Sequence, residues 1–313
     1  MDAGGSWIVA REEAGPLAGW LRAKIPSASW GTIKGWVLSG KVRVNGAPLT
    51  EPGARLRPGQ AVELRMDAPR PRPRGAVTLV HEDAHLVVVD KPAGILSVPW
   101  EAGRGAATDL IREAWRRLGR EPGPLLVVHR IDKDTSGLLV FAKTSRAQGG
   151  LSAQLRAHVV EREYACVAQG RVASGRIESR LVADRGDGLR GSARLRDLGK
   201  RAVTHVVAVE ELRDATRCEV RLETGRTHQI RIHLAEAGHP LVGERVYVRD
   251  LLRAGGTPLT SARLLLHARV LGFEHPVTGR PLRFVAEPPG DFQAELDALR
   301  GTRPRRGRGL NEA

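Results

Sequence analysis

His129-Arg130-Ile131-Asp132-Lys133-Asp134-Thr135-Ser136-Gly137 stands between the apolar runs 125–128 and 138–141. Runs of that length and composition read as strands, so the segment is a strand end, a turn and a second strand. It sets a carboxylate, Asp132, beside a guanidinium, Arg130. The apolar flanks imply partial burial, and carboxylates that leave water rarely lack a partner. From spacing alone the plainest account is a strand-end salt bridge, Arg130 to Asp134, and a solvated Thr-Ser-Gly turn.

The chain's charge widens the question. Its 313 residues allow a large core and two domains, and 41% hydrophobic with 27% charged residues is ordinary for a globular protein. Fifty Lys and Arg against 35 Asp and Glu leave a formal charge of +15. Such an excess suits a polyanion, because basic side chains release the counterions condensed on phosphates. Cys166 and Cys218 form no CxxC pair, so neither a disulfide framework nor a zinc-cysteine site is expected, which fits a reducing cytoplasm. The start of the chain, with Arg11, Glu12 and Glu13, does not read as a signal peptide. No apolar run approaches the roughly 20 residues that span a bilayer.

Composition divides the chain. A small module occupies 7–66, a Pro/Arg alternation makes an extended linker over 67–76, a large domain fills 77–299, and 300–313 is a basic tail expected to be disordered. In the module, Leu17, Trp20 and Leu21 share one helix face, and Ile33, Trp36 and Val37 repeat the spacing after Ser27 or Ser29 as N-cap. Gly40 ends the second helix, 41–44 alternates, and Asn45-Gly46 signals a tight hairpin. Arg22, Lys24, Lys34, Lys41 and Arg43 decorate this unit. In the large domain, Leu110, Ile111 and Trp115 mark a helix over 107–118, and 203–209 and 218–222 look like strands. Gln229-Ile230-Arg231-Ile232-His233 alternates, which on a strand puts Gln229, Arg231 and His233 on one face. The Gly/Arg-rich stretch 184–200 reads as a long surface loop.

Three further segments stand out: Lys91-Pro92-Ala93-Gly94; Val160-Glu161-Arg162-Glu163-Tyr164; and Thr224-Gly225-Arg226-Thr227-His228-Gln229-Ile230-Arg231-Ile232-His233, followed by Gly238-His239-Pro240-Leu241-Val242-Gly243. With the opening segment they resemble, in order, the motifs of the RluA/RluD-type RNA pseudouridine synthases, whose HRLDxxTSG signature matches 129–137. The resemblance extends over about 77–290. It implies an α+β protein with a large mixed, mainly antiparallel sheet in the catalytic domain, the pseudouridine synthase fold. The module's GKVRVNG run and the PGARLRPGQAVEL that follows resemble the S4-type RNA-binding domain, a small α/β module. This implies a grip on structured RNA through shape and phosphates, with Lys34, Lys41 and Arg43 as contacts.

The resemblance also implies roles. Asp132 stands at the place of the family's catalytic Asp, Tyr164 at its active-site tyrosine, and Arg231 at an arginine that would keep Asp132 ionised. Pseudouridine formation breaks the N1–C1′ bond of uridine, turns the base and joins C5 to C1′. There is no redox change and no net addition, so no cofactor is expected. Asp132 could attack C1′, add to C6, or support departure of uracil to a glycal; the residues leave these open. Tyr164 could stack on the uracil and act as a base toward the sugar. The target uridine must leave its helix, and Arg130 would fill the space. Arg226, His228 and Gln229 are carried over as substrate contacts. Ile131 for Leu is conservative, Arg162 for Lys changes donor geometry, and Glu244 stands where Asp is usual.

Two other classes compete. His228, His233 and His239 could suggest a metal, but five residues split His228 from His233 on strand or helix, and no HExxH occurs, so no metal is expected. A catalytically silent RNA-binding or ribosome-assembly factor would share the charge but has no need of Asp132, Tyr164 and Arg231 together. The related RsuA type also carries an S4-type domain; His129 and the TGRTHQIRIH run favour the RluA/RluD type. The substrate implied is large-subunit ribosomal RNA, with transfer RNA as the alternative. The protein is expected to be a cytoplasmic monomer without membrane contact, and its linker to let the module move.

Overall fold

The computed structural model describes residues 5–68, 77–99, 106–193, 195 and 197–301. Most of the expected linker and nearly all of the expected tail lie outside them. The first part is a four-stranded sheet, ordered β1-β4-β2-β3 from β1 (Gly5–Ile8), β2 (Val42–Val44), β3 (Ala47–Pro48) and β4 (Ala61–Leu64), with helices α1 (Leu17–Lys24) and α2 (Trp30–Leu38). Leu17, Leu21, Ile33 and Val37 are fully buried, as their helical spacing predicts. Ser29, one of the two residues expected, caps α2: its Oγ accepts from the Thr32 N–H at 3.1 Å. Asn45 and Gly46 both take positive φ, the geometry that turns the β2–β3 hairpin. Two expected RNA contacts are engaged internally. Lys41 Nζ donates to the Met66 and Ala68 carbonyls, and Arg43 Nε to the Gly46 carbonyl at 2.8 Å. Lys34 sits over the ring of exposed Trp30 at 5.8 Å.

The second part is one large sheet. Its strands are β5 (Thr78–Glu82), β6 (Leu86–Lys91), β7 (Leu126–Val127), β8 (Ser136–Ala142), β9 (Glu161–Gln169), β10 (Gly175–Val182), β11 (Gly191–Ser192), β12 (Lys200–Glu211), β13 (Ala215–Leu222), β14 (Leu266–Glu274) and β15 (Pro281–Val285). The main order is β11-β10-β12-β13-β9-β14-β8-β6-β5, with β7 on β8 and β15 on β14. The pairing of β8 with β14 is parallel and the others are antiparallel, so the sheet is mixed and mainly antiparallel as expected. Helices α3 (Ala107–Arg117), α4 (Ser145–Arg156), α5 (Gln229–Glu236), α6 (Arg249–Arg253) and α7 (Gly290–Gly301) complete it.

Strands β6 and β8 are continuous apolar runs because both of their faces are covered. Val87, Val89, Leu139 and Phe141 pack against Ile111 and Trp115 of α3. The alternate residues Leu86, Val88, Leu138 and Val140 pack against Ala147 and Leu151 of α4. Gly137, which pairs with Ala268 in this strand's parallel pairing with β14, has φ +113°, and a Cβ there would collide with the Ala268 carbonyl. Gly137→Ala is expected to cost about 1–3 kcal/mol in thermal unfolding, from strained backbone and displaced β14. An unchanged Tm would show that β14 can yield.

The stretch 229–236 departs from its expected form. It is helix α5, not a strand, and 229–234 are all buried. The module likewise meets the large domain where loose tethering is expected: Lys133 Nζ donates to the Thr50 carbonyl at 3.1 Å. The Arg55 N–H donates to the Arg245 carbonyl at 3.3 Å.

Candidate active site

Asp132 lies in the loop between β7 and β8, fixed from both sides by main-chain bonds. Ser97 Oγ donates to the Ile131 carbonyl at 2.8 Å and accepts from the Ile131 N–H at 3.2 Å. Lys91, with no exposed surface, donates through Nζ to the Pro92, Ile95 and Lys133 carbonyls. Burial brings its ammonium down to about 7, against the pull of Asp134 and Asp132. The Gly94 N–H also donates to the Lys133 carbonyl, at 2.9 Å. The Lys91-to-Gly94 turn is thus a clamp on the residue that follows Asp132.

A cavity of about 280 Å³ opens beside this loop. Asp132, Tyr164 and His228 line it, with Arg130, Arg162 and Arg226. Three stretches far apart in the chain meet because β9, the turn leading into α5 and the β7–β8 loop converge. Its volume is near the low end of the roughly 300–1,000 Å³ of ligand pockets, and suits one nucleoside. Two buried polar atoms of its lining residues, Thr135 Oγ1 and Arg162 Nε, have no hydrogen-bond partner among the described residues. Such atoms are costly unless a ligand or water satisfies them. Burial lowers the Arg162 pKa while Tyr164 raises it.

His228 holds the left-handed conformation, φ 58°, at the start of α5. Its Nδ1 is 2.7 Å from Tyr247 Oη, and its Nε2 is 3.9 Å from Asp132 Oδ1. Burial drives the imidazole down to about 4, so it is neutral at pH 7. Burial also raises the Tyr247 pKa, so its hydroxyl stays protonated and donates to Nδ1. That assignment leaves the Nε2–H turned toward the Asp132 carboxylate.

Arg231 is not the direct partner of Asp132 that its place in the motif implies. It does not line the cavity. From helix α5 it forms a buried two-point pair with Glu244, Nε to Oε2 at 2.8 Å and Nη2 to Oε1 at 2.7 Å. Its guanidinium stacks over Tyr247, 5.3 Å from the ring centre. Glu244 Oε1 also accepts the Arg245 and Val246 N–H groups at 2.9 and 2.8 Å. Burial pushes the Glu244 carboxyl up, but Arg231 and these donors pull it further down, to about 2. Glu244, Arg231, Tyr247 and His228 form a chain of contacts ending at Asp132. Arg231 thus reaches Asp132 only through Tyr247 and His228.

The other expected residues divide. Tyr164 is in the cavity, and burial raises its phenol to about 12, against Arg162 and with Asp132 adding. A phenol so held suits stacking and hydrogen-bond donation; it is a poorer base at neutral pH than the sequence expectation supposes. Arg130 is exposed at the cavity. Arg226 Nε is bonded to the Arg201 carbonyl at 2.9 Å, leaving its other nitrogens for the cavity. Gln229 has both ends of its amide engaged. Oε1 accepts from Thr224 and the Arg226 N–H, and Nε2 donates to Val203 and Thr204. It shapes the 224–228 turn and has no spare donor for a substrate. His233 likewise uses both ring nitrogens, on Thr204 and Ser179.

Residues 85–236 match the RNA pseudouridylate synthase family. A ribosomal large subunit pseudouridine synthase D of Xylella fastidiosa is 39% identical over 300 residues, covering 90% of this chain and 87% of that protein. One from Vibrio parahaemolyticus is 37% identical over 282 residues, 86% of each chain. In fold, the chain is similar to human RNA pseudouridylate synthase domain containing 4, with TM-score 0.56, 24% identity, and 71% of this chain and 93% of that one covered. The chain belongs to the RNA pseudouridylate synthase family and is of the RluA/RluD type.

Proposed function

We propose that this chain isomerises uridines of large-subunit ribosomal RNA to pseudouridine, with Asp132 as the nucleophile. One observation carries the assignment: Asp132 lines a nucleoside-sized cavity with Tyr164, His228 and three arginines. The N1–C1′ bond breaks, the C5–C1′ bond forms, and the hydrogen lost from C5 is balanced by one gained at N1. Asp132 works at the sugar carbon or the ring, and Tyr164 stacks on the uracil. Arg130, exposed at the mouth, takes the place of the extruded base. Arg162 and Arg226 meet the flanking phosphates. Arg231 positions the site through Tyr247 and His228.

The module over 7–66 is read as an S4-type RNA grip, and the large domain over 77–299 as the catalytic unit. The ribosomal substrate rests on the names of the relatives, and with it we read the protein as a cytoplasmic monomer. Among the described residues no helix is long and apolar enough to cross a membrane. The test is to treat transcripts of large-subunit ribosomal RNA and of transfer RNA with purified protein and count pseudouridine by mass spectrometry. Modification at a few ribosomal positions is expected. Product in transfer RNA alone would move the substrate, and product in neither would overturn the reading.

A further inference from the structure

The loop 50–55 of the small module touches the large domain next to both halves of the site. Lys133, beside Asp132, donates its ammonium to the Thr50 carbonyl at 3.1 Å. Arg245, beside Glu244, accepts from the Arg55 N–H at 3.3 Å. Between them Gly53 abuts Val246: a Cβ at position 53 would lie 2.9 Å from Val246 Cγ1 and 3.7 Å from its Cβ. Glu51 faces Arg231, Asp134, Glu244 and Lys133.

We infer that the docked module is part of the catalytic unit, its 50–55 loop a positioning element for the Asp132 loop. The inference rests on Asp132 being the catalytic carboxylate. The Lys133 carbonyl is held by Lys91 and Gly94 of the large domain, and its side chain by Thr50 of the module. Both ends of the residue after Asp132 are therefore anchored, one by each part of the protein. The loop is a buttress and not a plug. Among the described residues no module residue lines the cavity, and neither Lys133 nor Val246 does. The contact leaves the mouth open while holding its flank.

Docking has a built-in pH dependence. Burial raises the Glu51 carboxyl from 4.5 to about 7, opposed by Arg231 and Lys133 and helped by Asp134 and Glu244. Docking therefore favours the protonated acid. The contribution of Glu51 to docking is fully present below the ordinary carboxylate range and is lost as pH rises through about 7.

The Cβ separation at 53 and 246 falls within the roughly 3.5–4.5 Å that disulfides span. The test is the full-length double variant Gly53→Cys/Val246→Cys, held in a glutathione redox buffer and compared with each single variant. The native Cys166 and Cys218 are fully buried and lie opposite each other on β9 and β13, so the wild type in the same buffer is the control for their state. The new disulfide is expected to form, and the oxidised protein to convert ribosomal RNA in a single turnover as fast as the reduced one, within twofold. At pH 8, adding Glu51→Gln should raise the oxidised fraction. Lys133→Ala should lower the single-turnover rate at saturating RNA by about tenfold or more without weakening RNA affinity, and Lys133→Arg should restore it. Absence of the disulfide would show that the two surfaces do not meet. A disulfide that stops turnover until reductant is added would make the docked state a closed one. An unchanged rate in Lys133→Ala would leave the contact without a positioning role. Each of these overturns the inference. An inactive wild type would instead sink the underlying reading, while disulfide formation would still report docking.

Discussion

Asp132→Ala is expected to fold, to bind RNA as the wild type does, and to lose roughly 10⁴-fold or more in turnover. Its fold should survive because the carboxylate is partly exposed and meets His228 at 3.9 Å, beyond a hydrogen bond. Removing it does not unpair Arg231, which already has Glu244. Its loop is held by Ser97, Lys91 and Gly94 through main-chain atoms that the substitution does not touch. Asp132→Asn keeps the shape and removes the charge, and the same loss is expected. Single-turnover kinetics on a ribosomal RNA fragment, with Tm and RNA affinity alongside, separate chemistry from folding. A rate within tenfold of wild type would remove Asp132 from the reaction.

Glu244→Gln should show the largest loss of stability. The Arg231 and Glu244 side chains are 4% and 0% exposed, and Glu244 also caps the 245–246 turn. Taking the charge from one member of a buried pair leaves the other uncompensated, at about 3–5 kcal/mol, or a fall in Tm of roughly 10 °C. The pH dependence has a definite sign. The folded carboxyl titrates at about 2 against 4.5 when free, so its contribution is present above 4.5 and lost as pH falls toward 2. Acid unfolding of the wild type should carry that limb, and in Glu244→Gln the limb should flatten. A variant as stable as wild type, with the same acid limb, would show that the pair does not hold the site. Turnover should fall as well, because Arg231 supports Tyr247 and, through it, His228.

Much of this arrangement was legible in the chain. The helices of the module, the Ser29 cap and the Asn45-Gly46 hairpin follow from spacing, because each depends on neighbours within a few residues. The doubly covered strand β8 follows from its unbroken apolar run. The meeting of Asp132, Tyr164 and His228 came from the resemblance, since no local rule brings together residues 32 and 64 positions apart. Helix α5 departs from the strand expectation for a physical reason. Ile230, Ile232 and Leu234 alternate with Gln229, Arg231 and His233, yet every one of them is buried. The polar set is satisfied by Glu244, Thr204, Thr224 and Ser179, so burial carries no period from which to tell helix from strand. The partner of Arg231 lies 13 residues on, in a turn whose only sequence mark was Glu244 in place of the usual Asp. The docking of the 50–55 loop has no sequence signal, because it depends on one glycine fitting one valine across two sheets.

The central claim is that the Asp132 carboxylate makes pseudouridine in ribosomal RNA. It is tested most directly by mapping pseudouridines across total RNA from cells lacking this gene, restored with wild type or with Asp132→Ala. Wild type is expected to return specific large-subunit positions that the variant leaves as uridine. Identical maps from the two restored strains, with those positions modified in both, would contradict it.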